Sequence, residues 1–485
     1  LTGPAPAFAT VDAPIAWWAM HAPAAVAIDD GTRRLTFAQL AAAVSARAAA
    51  LTQGRAPAVV WVDDTRDMAG RLVDFLGIVA SGRSAAVGDP DWPPSVREQV
   101  VASIPSAPAD LAAPGPGTPF YVGFTSGSTG LPKGFQRDHR SWTESFRACV
   151  DTFGDGAATR VLAPGRMSHS LFLFGMLLGL WTGAGVVVQE PFSAGRALDA
   201  LADGHTPCLV AVPSQLQVML ALAARRRLPP MGDVRQIMIS GARWMRDRTP
   251  ALRTLFPGAR IVEFYGASET SFIAWTDADA ALPPAVVGRP FANVELSIRG
   301  ASAPGQPGLI FVRSPMLFSN YVGDADTATA ALRDGEWLSV RDVGHLDGDG
   351  LLRLMGREKR MIVTQGKNLF PEEVESVLDA HPAVVAASVH GVADALRGMQ
   401  VVAAVAIADG ATVDAATLGA WCRARLEAFK TPRAWFTCSS WPSTASGKTD
   451  HAEIAAMLTR HVASSGSAAG GPRTDGIAPC LHPLR

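Results

Sequence analysis

Five short apolar runs constrain the fold more than anything else in this chain. They lie at 161–163, 186–188, 209–212, 237–239 and 261–264, and none shows polar alternation. A strand that is apolar on both sides must be buried on both faces. Helical patterns separate the runs, for example at 214–226 and 246–256, and the same alternation appears upstream: a Thr-capped helix over 36–51, a strand at 58–62, a helix over 67–81 and an apolar run at 85–87. The pattern predicts an α/β fold with a large N-terminal domain of mainly parallel sheets flanked by helices. Ligands in such folds gather at the carboxyl ends of the strands. After Pro290 the texture changes to a small β-rich region with strands at 294–298, 309–313 and 351–354. A second pattern starts at Gly356, with helices over 371–380 and 418–428 and strands at 384–389 and 401–407. The expected organisation is therefore an N-terminal domain over 1–355, a small mobile α+β domain over 356–462, and a disordered Ser/Gly-rich tail over 463–485.

Composition narrows the class. With 485 residues, 48% hydrophobic and 18% charged, and a net charge of -1, the chain reads as a soluble globular protein with no electrostatic case for nucleic acid or an anionic membrane as partner. Its five cysteines form no CxxC pair, which argues against a zinc site or a disulfide framework and suits a reducing cytoplasm. The N-terminal stretch lacks the basic segment and continuous apolar core of a signal peptide. Residues 171–188, LFLFGMLLGLWTGAGVVV, carry no charge and approach the length of a membrane span. Thr182–Gly185 is a turn-forming cluster, so the expectation is a buried helix followed by a buried strand, without integral membrane association.

Four stretches carry chemistry. The first, FTSGSTGLPKG at 124–134, places six consecutive Gly, Ser or Thr residues, Thr125, Ser126, Gly127, Ser128, Thr129 and Gly130, ahead of Lys133. Such a backbone can curl its N–H groups and hydroxyls toward an anion, and the lysine adds a mobile positive charge. An apolar run precedes the loop and a helical pattern from about 139 to 153 follows, a strand–loop–helix context. No Ser or Thr follows Lys133, and PSTASGKT at 442–449 begins with Pro where a P-loop needs Gly, so a P-loop kinase or ATPase is not expected. The second, EFYGASET at 263–270, offers an aromatic face, a glycine for close approach and Glu269 as a hard oxygen ligand. The third, from 339 to 375, contains Asp342, suited to accept two ribose hydroxyls, with Arg357 to assist. The fourth is Lys448. Each alone also reads as a turn, a surface charge or a solvated lysine.

Together, TSGSTGLPKG, YGASET, RDVG with GREKR and QGKN, and PSTASGK occur in the order and approximate spacing of the adenylate-forming superfamily. Over nearly the whole chain the sequence resembles its compact bacterial acyl-CoA synthetases. The resemblance implies ATP-dependent activation of a carboxylic acid to acyl-AMP with release of pyrophosphate, then transfer to the thiol of CoA, or alternatively to the phosphopantetheine of an acyl carrier protein. It implies that residues 125–130 and Lys133 hold the β- and γ-phosphates, and that Gly241, Ala242, Glu263, Phe264, Tyr265 and Gly266 surround the nucleotide, with Tyr265 stacked on adenine. Thr270 would approach the α-phosphate, Glu269 would hold Mg2+, and Asp342 and Arg357 would take the ribose. Lys448 would bridge the acid and the α-phosphate, and Lys359 would be the hinge. His169 matches an aromatic position beside the carboxylate, and Phe172, Phe174, Ser240 and Ala267 are candidate walls of the acid pocket. No Asp lies between Arg166 and Leu180 to pair with an α-amino group, so the expected acid lacks one. The protein would be cytoplasmic and monomeric or homodimeric. Val363, Asp450 and Arg341 depart from the residues relatives carry, which bears on the thioester step more than on adenylation.

Overall fold

A computed structural model describes residues 6–125, 131–303, 305–323, 325–364, 367–394, 398–438, 440–444, 448–466 and 481–484. The chain divides into two compact units, one of residues 1–297, 311–340 and 349–352, the other of 298–310, 341–348 and 353–485. The boundary expected between 355 and 356 thus falls inside the strand Leu352–Arg357.

In the first unit the five apolar runs become the strands Val161–Ala163, Val186–Val188, Cys208–Ala211, Gln236–Ile239 and Arg260–Ala267. They lie side by side in the order 260–267, 236–239, 208–211, 161–163, 186–188, followed by Val26–Asp29, and every neighbouring pair is parallel. All residues of the four inner runs are buried. Ala194–Ala202, Pro213–Arg226 and Thr249–Leu255 supply the helical cover through Leu198, Leu216, Met219 and Leu252, which join Leu162, Leu209 and Ile237 in one core. A second sheet runs Asn320–Tyr321, Lys133–Asp138, Pro119–Thr125, Ser84–Ala86, Val59–Trp61, antiparallel at its first two junctions and parallel at its last two.

The uncharged run at 171–188 resolves as expected into the helix Ser170–Trp181, with ten of its twelve residues buried, and the strand Val186–Val188. Gly185 makes the division possible: it has φ +80°, and a Cβ there would stand 2.2 Å from the Val26 carbonyl oxygen. No described helix is long and apolar enough to cross a membrane.

Short polar caps set several helix starts. Thr36 accepts from the Gln39 N–H while the Gln39 side chain returns to the Thr36 N–H, and Asp67 and Asp138 cap the helices Met68–Ala80 and His139–Phe153. The same signal corrects one expectation. Asp414 accepts from the Thr417 N–H, so the helix spans Ala415–Arg423 instead of 418–428, and Ala428–Lys430 is a separate 3-10 turn.

In the second unit Val384–Asp394, Gly398–Ile407, Ala434–Cys438 and Leu481–Pro483 form one sheet. Pro371–Asp379 and Ala415–Arg423 cover one face through Val374, Leu378, Leu418 and Cys422, and Ile454 and Leu458 of the helix His451–Gly466 cover the other. A hairpin of Ile362–Thr364 and Lys367–Leu369 is an element the sequence pattern did not announce. Of the segment expected to be disordered, residues 463–466 end the last helix and Leu481–Pro483 pairs antiparallel with Ala434–Cys438, with Leu484 packed on the core. Residues 467–480 and 485 lie outside the described residues.

Candidate active site

The carboxyl ends of the parallel strands collect the first group of expected site residues. Beyond Val161–Ala163, Gly165 runs so close to Phe172 that a Cβ would stand 2.2 Å from its ring, and His169 becomes the N-cap residue of the helix Ser170–Trp181. Beyond Gln236–Ile239, the Ser240 hydroxyl donates to the Phe264 carbonyl at 2.9 Å. Gly241, at φ +88°, has its Cβ position 3.7 Å from His169 Cε1. The structure therefore brings His169, Ser240, Gly241 and Phe264 to one sheet edge, with Ala242 exposed beside them. Phe172 lies 5.2 Å from the His169 ring, between centroids. Phe174 does not join it. Two positions on, it points to another side of the helix and packs on Trp142, Phe146 and Phe272, so it belongs to the aromatic core.

The octapeptide at 263–270 is more regular than expected. Its first five residues continue the strand Arg260–Ala267, and the rest turn into the antiparallel strand Ser271–Asp277. Gly266 serves this hairpin: a Cβ there would stand 1.8 Å from the Ser271 carbonyl oxygen. The Ala267 N–H donates to Thr270 Oγ1 at 3.0 Å, closing the turn, and Thr270 is buried. The two glutamates have separate fates. Glu263 is paired with the buried guanidinium of Arg246, which also donates to the carbonyls of Pro283 (2.9 Å) and Val286 (2.7 Å). Burial raises the Glu263 pKa and Arg246 opposes it. Its side chain is thus engaged by Arg246. Glu269, 9% exposed, accepts from the Tyr321 hydroxyl at 2.8 Å.

Sequence reasoning missed Tyr321. A signal was available: the chain has twenty phenylalanines and only three tyrosines, and a ring that needs only to pack is satisfied by Phe.

The glycine-rich loop joins two adjacent antiparallel strands, with Thr125 opposite Lys133. The helix begins at His139, as expected, but the strand Lys133–Asp138, which the sequence pattern did not announce, stands between it and the loop. Lys133 supplies a positive charge where the second of these strands begins. The Lys133 Nζ lies 6.0 Å from the centroid of the Tyr321 ring. Ser126, Gly127, Ser128, Thr129 and Gly130 lie outside the described residues.

In the second unit Asp342 opens the strand Asp342–Leu346, and Arg357 Nε lies 3.2 Å from its Oδ1. Arg341, at φ +66°, makes a two-pronged contact with Glu358 at 2.6 and 2.8 Å. Lys359 lies in the 3-10 turn Glu358–Arg360. Lys448 follows a segment whose ends are pinned: the Thr444 N–H donates to the Lys448 carbonyl at 2.7 Å, and the Lys448 N–H to Thr444 Oγ1 at 3.2 Å. Its side chain is exposed, yet the protein around it, and then the Arg357 charge, hold the ammonium pKa below the ordinary lysine value.

Residues 62–322 match the AMP-binding enzyme family, and residues 373–448 match the AMP-binding enzyme C-terminal domain. The chain belongs to the AMP-binding enzymes. It groups with their acyl-CoA ligases, AMP-forming acid–thiol ligases. An acyl-CoA ligase of Bacillus subtilis, YhfT, is 38% identical over 380 residues, 77% of this chain and 76% of that protein. An indoleacetate–CoA ligase of Aromatoleum aromaticum is 31% identical over 354 residues, 71% and 68% of the two chains. The fold is similar to that of an O-succinylbenzoate coenzyme A synthetase of Bacillus subtilis solved with ATP and magnesium ion, with TM-score 0.80 and 22% identity over 91% of this chain and 99% of that one.

In this AMP-binding enzyme the donors suit a divalent ion that arrives with a nucleotide. Among the described residues no group of three or more His, Cys, Asp or Glu could hold a metal ion by itself. Glu269 offers a single hard carboxylate, and Mg2+ is commonly held by one or two carboxylates plus substrate phosphates.

Proposed function

We propose that this AMP-binding enzyme takes an apolar carboxylic acid without an α-amino group, activates it with ATP as the acyl-adenylate, and passes the acyl group to the thiol of CoA. The junction of Lys133, Tyr321, Glu269 and Thr270 carries this reading: a cation, a hard carboxylate and a buried hydroxyl within one unit match the anionic end of a nucleotide. Lys133, with residues 125–130, grips the β- and γ-phosphates, Thr270 approaches the α-phosphate and Tyr265 stacks on adenine. Glu269 would hold Mg2+, which supplies charge neutralisation to the phosphates when bound. Asp342 takes the ribose hydroxyls with Arg357 alongside.

The acid lies at the edge formed by His169, Gly241 and Phe172. Its carboxylate is a weak nucleophile facing an anion, so it must be held in line while positive charge offsets the repulsion. Lys448 provides that charge, with Lys359 as the pivot that delivers and withdraws it. The attacking carboxylate oxygen bonds to the α-phosphorus as pyrophosphate leaves, and the thiol sulfur then bonds to the acyl carbon as AMP leaves.

ATP–pyrophosphate exchange over a panel of aliphatic and aromatic acids, indoleacetate included, tests the first step. Adding CoA, or a holo carrier protein, to the acids that respond identifies the acceptor. Exchange with none of the acids would overturn the reading, and transfer only to the carrier protein would replace CoA.

A further inference from the structure

The three elements that carry the phosphate-end residues meet at a junction built by two side chains to which no role has yet been given. Lys133 begins the strand Lys133–Asp138. Glu269 and Thr270 lie in the turn between Arg260–Ala267 and Ser271–Asp277. The third element is the segment from Met316 to Tyr321, whose last two residues pair with the first strand, Tyr321 opposite Phe135.

Arg137, on the same strand as Lys133, is buried and forks to both other elements. Nη1 donates to the Ser268 carbonyl and Nη2 to the Met316 carbonyl, each at 2.6 Å. The Phe318 N–H donates to the Glu269 carbonyl at 2.8 Å, which fixes the backbone of the residue expected to face the metal. Among the described residues, the side chain of Glu269 takes a 2.8 Å hydrogen bond at Oε1 from the Tyr321 hydroxyl. Tyr321 is held in turn by its ring against Phe318, 5.0 Å between centroids, and by its N–H, which donates to Thr329 Oγ1 at 3.0 Å.

We propose that Tyr321 is a positioning residue for the divalent-metal–nucleotide complex: its hydroxyl holds the Glu269 carboxylate in one orientation relative to Lys133, so that an ion arriving on the phosphates meets a preset ligand. This rests on the reading of Glu269 as the metal ligand. A glutamate has several rotatable bonds, and an unrestrained carboxylate would lose that freedom on each binding event. Anchoring it through a rigid phenol, itself fixed at ring and backbone, removes most of that loss. Desolvation pulls the Arg137 pKa down to about 10, which still leaves the fork charged near neutrality.

The test is Mn2+ binding to the enzyme–ATP complex, read by the electron paramagnetic resonance of free Mn2+, in wild type, Tyr321→Phe and Glu269→Gln. Tyr321→Phe should weaken Mn2+ by about tenfold, the order expected for a lost hydrogen bond to a charged group, while ATP binding in EDTA, measured by calorimetry, stays unchanged. In a Glu269→Gln background the Tyr321→Phe step should have no further effect. If Glu269→Gln weakens Mn2+ and Tyr321→Phe does not, the positioning role is wrong and the ligand reading stands. If Glu269→Gln itself leaves Mn2+ affinity intact, the ligand reading falls and the positioning role with it. Should Tyr321→Phe fail to fold, Thr329→Val, which frees the Tyr321 backbone, takes its place: weaker Mn2+ supports the proposal, and unchanged Mn2+ overturns it.

Discussion

The imidazole of His169 lies against the backbone of Gly241: the Cβ position of Gly241 is 3.7 Å from His169 Cε1 and 3.1 Å from Val212 Cγ1. Gly241 also has φ +88°, a conformation that strains any residue with a Cβ by roughly 1–2 kcal/mol. Gly241→Ala should lower stability by about that amount. Gly241→Val should also displace the imidazole and reduce kcat/KM for the acid by about 10²-fold with little change in KM for ATP. Steady-state kinetics varying each substrate in turn checks this, and an equal loss for both substrates would place Gly241 outside the acid pocket.

Lys448→Ala should reduce acid-dependent pyrophosphate release by about 10²–10³-fold, the loss typical of one electrostatic contact made in the transition state. Thiolysis of a supplied acyl-adenylate should continue. Both half-reactions are measured separately, and equal loss of the two in a folded variant would refute the division of labour.

The Arg246–Glu263 pair predicts a large stability effect. Arg246→Met leaves Glu263 without its buried partner and two carbonyls, of Pro283 and Val286, without their donor. The expected loss is about 3–5 kcal/mol, seen as a lower urea midpoint at unchanged slope. A loss below about 1 kcal/mol, the range of a surface pair, would show that the pair is solvated.

His139 predicts how stability varies with pH. Its ring is buried and stacked on Phe120, 5.0 Å between centroids, and Nδ1 accepts from the Val11 N–H at 3.0 Å, which requires the unprotonated nitrogen. Burial lowers its pKa to about 4. Because the folded value lies below the unfolded one, near 6.5, the unfolded chain binds more protons between them. The His139 contribution is therefore complete above about pH 6.5 and is lost as pH falls toward 4, at up to about 1.4 kcal/mol per pH unit. His139→Asn, whose amide oxygen can accept from Val11, should flatten that part of the profile in denaturant titrations run at several pH values. An unchanged slope would exclude His139 as a source.

Much of the fold was legible because its signals are local. The caps at Thr36, Asp67 and Asp138 act within three residues of where they sit, and the Thr182–Gly185 turn cluster divided the uncharged run correctly. The hairpin at Ile362–Leu369 and the strand Leu481–Pro483 gave no comparable signal. Each is short, and the latter becomes a strand by pairing with residues some forty positions earlier, at Ala434–Cys438.

The sequence by itself determined that this chain builds a parallel sheet with a ligand edge, because runs such as Val161–Ala163 and Gln236–Ile239 have no polar side to give to water. It also singled out the octapeptide at 263–270, whose strand ends at that edge. Only the tertiary structure decided what each side chain there does. Glu263 and Glu269 stand six residues apart in one octapeptide, and nothing local says that Arg246 buries the first while Tyr321 orients the second. Tyr321 reaches Glu269 across 52 positions, and Arg137 reaches Ser268 and Met316 across 131 and 179. Contacts at those separations follow from the packing of whole elements, so the roles of these residues exist only in the folded chain.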